Sequence, residues 1–297
     1  MVSSASESGK KLSLSALWRL MRPRQWIKNT FVLAPLVFAG ELADAASVVT
    51  SLLTMALFCV ASSATYIFND WRDIEKDRLH PRKRFTRPLA SGEVSKPQAL
   101  VLFVFLYLLL LAGFVVLPSV MLVILAYLVL NMAYSLVLKN QPVIDIFTIA
   151  LGFVLRVHAG AVAIAVPVSS WMFVSTLSLA LYLAAIKRRQ ELADSGSHGR
   201  AVLRQYSISL VDRYAEMSAI CAVLFYSLFV MSERPELIMT IPLVLYGLFR
   251  YWFVVDVRGG GESPTDVLFS DWQLALTVMI WIGLCVYLLA RSAGQWI

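Results

Sequence analysis

Stretch after stretch of about 20 residues in this chain is apolar enough to cross a bilayer as a helix, and the polar segments between them are too short to fold alone. Nine such spans lie near 27–44, 46–68, 98–117, 119–138, 142–165, 169–187, 214–232, 236–255 and 272–291. Because lipid leaves no solvent for unpaired backbone groups, the spans are helices. The expected fold class is therefore all-α: a polytopic membrane protein with nine transmembrane helices. Composition agrees, since 15% of the 297 residues are charged against about 25% in a soluble domain. The first span is the weakest, interrupted by Pro35, Gly40, Glu41 and Asp44. Residues 1–14 read as a flexible tail without the apolar core of a signal peptide, and 15–297 as a single transmembrane domain with polar loops 69–97, 188–213 and 256–271.

Charge sets the orientation. Of 26 Lys and Arg residues, 23 fall on one side of the nine spans, with Arg234 and Arg291 on the other and Arg156 inside a span. The positive-inside rule puts that side, with the N-terminus and all three long loops, in the cytosol. The C-terminus is then outside, with any chemistry facing the cytosol. Cys59, Cys221 and Cys285 each lie in apolar runs and read as packing residues, not disulfides or metal ligands.

The most polar stretch follows the second span. Between Asn69 and Arg87, four acids and seven bases occupy nineteen positions. A helix over 66–78 places Asn69, Asp73 and Asp77 at i, i+4 and i+8 with Asp70 beside them, so the carboxylates share one face. Such a face is either solvated and balanced by neighbouring bases or built for a cation. Its position at a membrane exit favours function, and hard oxygen ligands beside a substrate phosphate are how Mg²⁺ is usually held. The candidate metal residues are Asn69, Asp70, Asp73 and Asp77.

A second cluster, Lys187-Arg188-Arg189-Gln190-Glu191, ends the sixth span on the same side. It reads as a positive-inside anchor or as a second half of the site. A third, Arg22-Pro-Arg-Gln-Trp-Ile-Lys28-Asn29, precedes the first span and reads as an interfacial belt or as phosphate contacts. Arg156 and His158 lie deep in the fifth span; a buried Arg must pair, lining a cavity or bracing another helix. The Gly259-Gly260-Gly261 loop lacks the strand–loop–helix setting of a phosphate-binding loop.

The first cluster, Asn69-Asp70-Trp-Arg-Asp73-Ile-Glu-Lys-Asp77 followed by Arg87-Pro-Leu-Ala-Ser-Gly92, resembles the first signature of the UbiA superfamily of intramembrane transferases. The resemblance implies a helical bundle around a central cavity open to the cytosol. In the prenyltransferases of that family two acidic motifs bind Mg²⁺ and an isoprenyl diphosphate, whereas the second motif here is basic. The whole chain looks most like the polyprenyl-phosphate phosphoribosyltransferase branch, in which 5-phosphoribosyl 1-diphosphate (PRPP) and a polyprenyl (decaprenyl) phosphate give a lipid-linked phosphoribose for arabinan and cell-wall synthesis. Further resemblances are Arg22 to Asn29, His80-Pro-Arg-Lys-Arg-Phe85, Lys187 to Leu192, and Arg250-Tyr with Val255-Asp256.

On that resemblance Asp73, Asp77, Lys187 and Arg188 are catalytic candidates, and Mg²⁺ is the cofactor. Phosphate contacts are expected from Lys28, Arg82, Lys83, Arg84, Lys187 and Arg188. Further substrate contacts are expected among Asn29, Arg72, Tyr134, Lys139, Arg156, Tyr182 and Glu191. Partners are the two substrates and membrane lipids, with no nucleic acid; self-association stays open. Two rival readings are a UbiA-type prenyltransferase with an aromatic or other acceptor, and a transporter or lipid-binding protein.

Overall fold

In a computed structural model, which describes residues 13–81, 83–195, 201–258 and 264–292, the chain is a bundle of helices. Arg82, the tail before Ser13, and the Gly259-Gly261 loop fall outside the described residues.

The helices are α1 Leu14–Met21, α2 Ala34–Ala39, α3 Ala45–Arg72, α4 Ile74–Leu79, α5 Lys83–Thr86, α6 Lys96–Val116, α7 Pro118–Leu136, α8 Ile144–Ala163, α9 Ser170–Ser195, α10 Ile208–Glu233, α11 Ile241–Arg258, α12 Pro264–Ser270 and α13 Trp272–Ser292. Short-range chemistry sets their ends. Asp44 caps α3 by accepting from Ser47 N–H at 2.8 Å, Ser95 and Gln98 form a capping box at the start of α6, and Asp271 accepts from Leu274 N–H at 2.9 Å to start α13. Such caps satisfy N–H groups that the first turn leaves open.

Eight of the helices are long and apolar enough to cross a membrane among the described residues, which makes this an integral multi-pass membrane protein. The first expected span takes another form. Pro23–Leu33 is a 3-10 helix of 11 residues, followed by the six residues of α2 and a left-handed Gly40 with φ +82°. The proline and glycine interruptions thus break this segment into two short helices, and it is not among the eight helices long and apolar enough to cross a membrane.

Neighbours run in order α6, α7, α8, α9, α10, α11 and α13, and α13 returns against α2 while α3 packs on α6, α7 and α8. The most enclosed span is α8: 61% of its apolar window is buried, against 33% or less in every other span. A side chain at Gly160 of α8 would place its Cβ 1.9 Å from the Val32 carbonyl oxygen. Glycine there is what lets α8 approach the 3-10 segment. The other helices turn large apolar side chains outward, among them Val101, Phe105, Leu111, Leu122 and Ile220, as lipid-facing surfaces do.

Helices outrun the apolar spans read from the sequence. α9 continues to Ser195 and α10 begins at Ile208, so the expected 188–213 loop is largely helical. Apolar runs mark where hydrocarbon ends, and a helix satisfies its own backbone beyond that point.

Candidate functional site

The expected continuous helix over 66–78 is bent. α3 ends at Arg72, α4 starts at Ile74, and Asp73 at the joint has φ −95°, ψ +10°. The ladder survives the bend, since Asp73 N–H donates to Asn69 C=O at 3.0 Å and Asp77 N–H to Asp73 C=O at 2.8 Å. Asn69, Asp73 and Asp77 therefore keep their i, i+4 relation.

Each carboxylate of this motif has a different partner. Asp70 is 1% exposed, and its Oδ1 accepts from both Arg22 and Arg87. Its Oδ2 is buried with no hydrogen-bond partner among the described residues. Asp73 is half-buried, and the Lys139 ammonium donates to both its oxygens, at 3.2 and 3.0 Å. Asp77 is buried, which pushes its carboxyl above the usual range; Lys83 opposes that rise and Asp73 adds to it. Among the described residues no three His, Cys, Asp or Glu side chains converge into a ready-made metal cage. The donors still suit Mg²⁺, which commonly takes one or two carboxylates together with substrate phosphates. The Lys139 ammonium marks where a cation sits against Asp73.

The second motif inverts this pattern. Arg188 is fully buried. It donates to Asp145 through Nε at 2.6 Å, to the Tyr134 hydroxyl at 2.9 Å, and to Glu191. In this structure Arg188 has no exposed surface and is held among these three partners. Tyr134 and Glu191, expected as substrate contacts, are tied to the same guanidinium. Arg189 binds Asp212 at 2.7 Å and Asp256 at 2.5 Å. Lys187 is half-buried beside them.

The connection between α7 and α8 joins the two motifs. Lys139 reaches Asp73 of the first, and Asp145, six residues later, reaches Arg188 of the second. Between them Val143 has φ +68°, ψ −50°, and Ile144 N–H donates to Pro142 C=O at 2.8 Å. This is a γ-turn of the strained positive-φ kind, and it is held in place. Val143 N–H donates to the Tyr206 hydroxyl at 2.6 Å, and that hydroxyl donates to Asp145 Oδ1 at 2.7 Å.

Arg156 braces the interior. It donates to Asn29 Oδ1 at 2.8 Å, Gly152 C=O at 2.7 Å and the Tyr127 hydroxyl at 3.0 Å. Asn29 in turn donates to Ser62 at 3.2 Å. Of the alternatives left open for Arg156, this geometry is the brace: it ties the 3-10 segment to α3, α7 and α8. Lys28 lies within electrostatic reach of Arg156, Arg22 and Asp266.

The remaining candidates are dispersed. Tyr182 is buried, its hydroxyl donating to Leu248 C=O at 3.3 Å. Arg72 and Arg84 are exposed, Arg84 lying over the Phe85 ring. His158 is exposed on α8. Sequence reading missed Arg22 and Arg87 as partners of Asp70, Asp145 as a partner of Arg188, and Tyr206 as a partner of Asp145. Asp145 carried a usable signal, since an acid opening a membrane helix needs a partner.

Residues 30–274 match the UbiA prenyltransferase family. The chain is 34% identical over 295 residues to the decaprenyl-phosphate phosphoribosyltransferase of Mycolicibacterium smegmatis, covering 91% of each chain. It is 35% identical to the Mycobacterium tuberculosis protein of the same name, covering 89% of this chain and 91% of that one. Its fold superposes on a UbiA homologue from Archaeoglobus fulgidus, solved with GPP and Mg²⁺, with a TM-score of 0.71 at 21% identity, covering 93% of this chain and 99% of that one. The chain is a member of the UbiA prenyltransferase family.

Proposed function

We propose that this transferase moves 5-phosphoribose from PRPP to a polyprenyl phosphate, releasing diphosphate. The observation that carries the reading is the likeness, over about nine-tenths of the chain, to proteins named decaprenyl-phosphate phosphoribosyltransferase. The second motif supports it. Its acid, Glu191, is already bound to Arg188, so this motif offers bases and buried ion pairs in place of a second carboxylate set.

In this reading Asn69, Asp73 and Asp77 would hold Mg²⁺ together with the diphosphate of the donor. The bound ion would neutralise charge developing on the leaving oxygen. Lys139 releases Asp73 and turns to the diphosphate, which Lys83 and Lys187 also approach. Asp70 and Arg188 work from behind, each fixing the chain segment that presents those groups. The acceptor phosphate is already anionic at neutral pH and needs no strong base. One of its oxygens attacks C1 of the ribose as the bond from C1 to the diphosphate breaks. The polyprenyl tail lies along lipid-facing helix surfaces, and the charged rim faces the cytosol of a bacterial cell.

The test is direct. Purified protein is incubated with radiolabelled PRPP and decaprenyl phosphate, with and without Mg²⁺, and in parallel with isoprenyl diphosphates and an aromatic acceptor. Organic-soluble label from PRPP alone, lost on chelation, is the expected result. Label transferred only from an isoprenyl diphosphate would replace this reading with prenyl transfer.

A further inference from the structure

A cavity of about 220 Å³ opens between the end of α1 and the turn after α5, lined by Arg19, Arg22, Gln25, Asp70, Thr86 and Arg87. At roughly 30 Å³ per water in the liquid, that volume holds a phosphate group and several waters. Three guanidiniums face one carboxylate in it. Arg22 and Arg87 share a single oxygen of Asp70, so two positive charges are drawn close around one negative charge. Each guanidinium has five N–H donors, and the contact with Asp70 occupies one from each. Arg22 and Arg87 keep about a fifth of their side-chain surface open, and Arg19, paired with Glu93 outside the lining, keeps half. An anion with several acceptor oxygens would relieve the repulsion between them and take up the spare donors.

We infer that this cavity seats a phosphomonoester dianion. Resting on the proposed function, it takes the 5-phosphate end of the donor: Asp70 stands three residues before Asp73, a rise of about 4.5 Å along a helix, so one small molecule bridges both places. Arg188, one of six bases that the sequence offered for the diphosphate and 5-phosphate, is enclosed by protein. The phosphate of an anionic lipid has the same chemistry and is the competing source.

Ribose 5-phosphate is titrated calorimetrically into the full-length protein in phospholipid-free detergent, alongside Arg19→Gln and Arg87→Lys. Binding of Mn²⁺–pyrophosphate is followed in parallel as a reading of the first motif. The affinity for ribose 5-phosphate is expected to fall about tenfold or more in each variant, as loss of a charge-assisted contact implies, with Mn²⁺–pyrophosphate binding unchanged. Arg19→Gln alters an exposed residue and keeps the test valid if Arg87→Lys folds poorly. Ribose 5-phosphate binding unchanged in both variants overturns the inference. Stabilisation by phosphatidic acid in nanodiscs, with no affinity for ribose 5-phosphate, overturns the assignment to the donor and gives the cavity to lipid. Arginine-dependent ribose 5-phosphate binding in a protein that fails to transfer phosphoribose leaves the cavity standing while the proposed activity falls.

Discussion

The two polar motifs of this protein are built with opposite charges on the same plan. In the first, the helix supplies acids, and bases come from elsewhere: Arg22, Arg87 and Lys139. In the second, the helix supplies bases, and Asp145, Asp212 and Asp256 come to them. The difference lies in enclosure. Asp73 and Lys139 keep 18% and 11% of their side-chain surface open, while Arg188 and Asp145 keep none. The Asp73 pair of the first motif is exchangeable and the Arg188 pair of the second is fixed. Asp70 in the first is nearly as enclosed as Arg188, and Arg189 in the second stays partly open. A motif's formal charge therefore does not tell what it presents to a ligand.

Breaking the exchangeable side should have the largest effect. Asp73→Ala should lower turnover by at least about 10²–10³-fold, the scale for removing a group that stabilises transition-state charge. Near-normal turnover at saturating Mg²⁺ would remove Asp73 from the metal site. On the fixed side, Arg188→Ala leaves Asp145 buried without its cation and should cost about 3–5 kcal/mol of stability. Lys187→Ala should shift thermal unfolding in detergent far less than Arg188→Ala and raise the KM for the donor. If both variants shift KM alone, the two residues play the same role and the contrast between the motifs collapses.

Tyr206→Phe removes the hydroxyl that serves both Val143 N–H and Asp145. It should cost about 1–3 kcal/mol, the penalty for buried groups left without partners, readable in the same unfolding assay. The smallest effect is the most discriminating. Lys139→Gln takes away the cation seated on Asp73, so Mn²⁺ titrated without substrate and followed by electron paramagnetic resonance should bind a few-fold more tightly, while the donor binds more weakly. Unchanged Mn²⁺ affinity would mean that Lys139 does not compete for the metal position.

Particular elements show how far the sequence could be read. The spans were legible because lipid demands apolar length, and α6 and α7 fall within two residues of the expected limits. The spacing of Asn69, Asp73 and Asp77 was legible because helical geometry is local. The bend at Asp73 and the 3-10 form of Pro23–Leu33 were not, since each depends on what packs alongside, Gly160 of α8 being one such contact.

By itself the sequence determined that this chain lives in a membrane, where its helices run, which segments concentrate charge, and which superfamily signature it carries. Those follow from composition and from spacing along a helix, both properties of neighbouring residues. Only the tertiary structure decided which charges cancel. Arg188 with Asp145, Arg87 and Arg22 with Asp70, and Lys139 with Asp73 join residues 17 to 66 positions apart. A charge inside a low-dielectric bundle takes its meaning from the partner that folding brings to it.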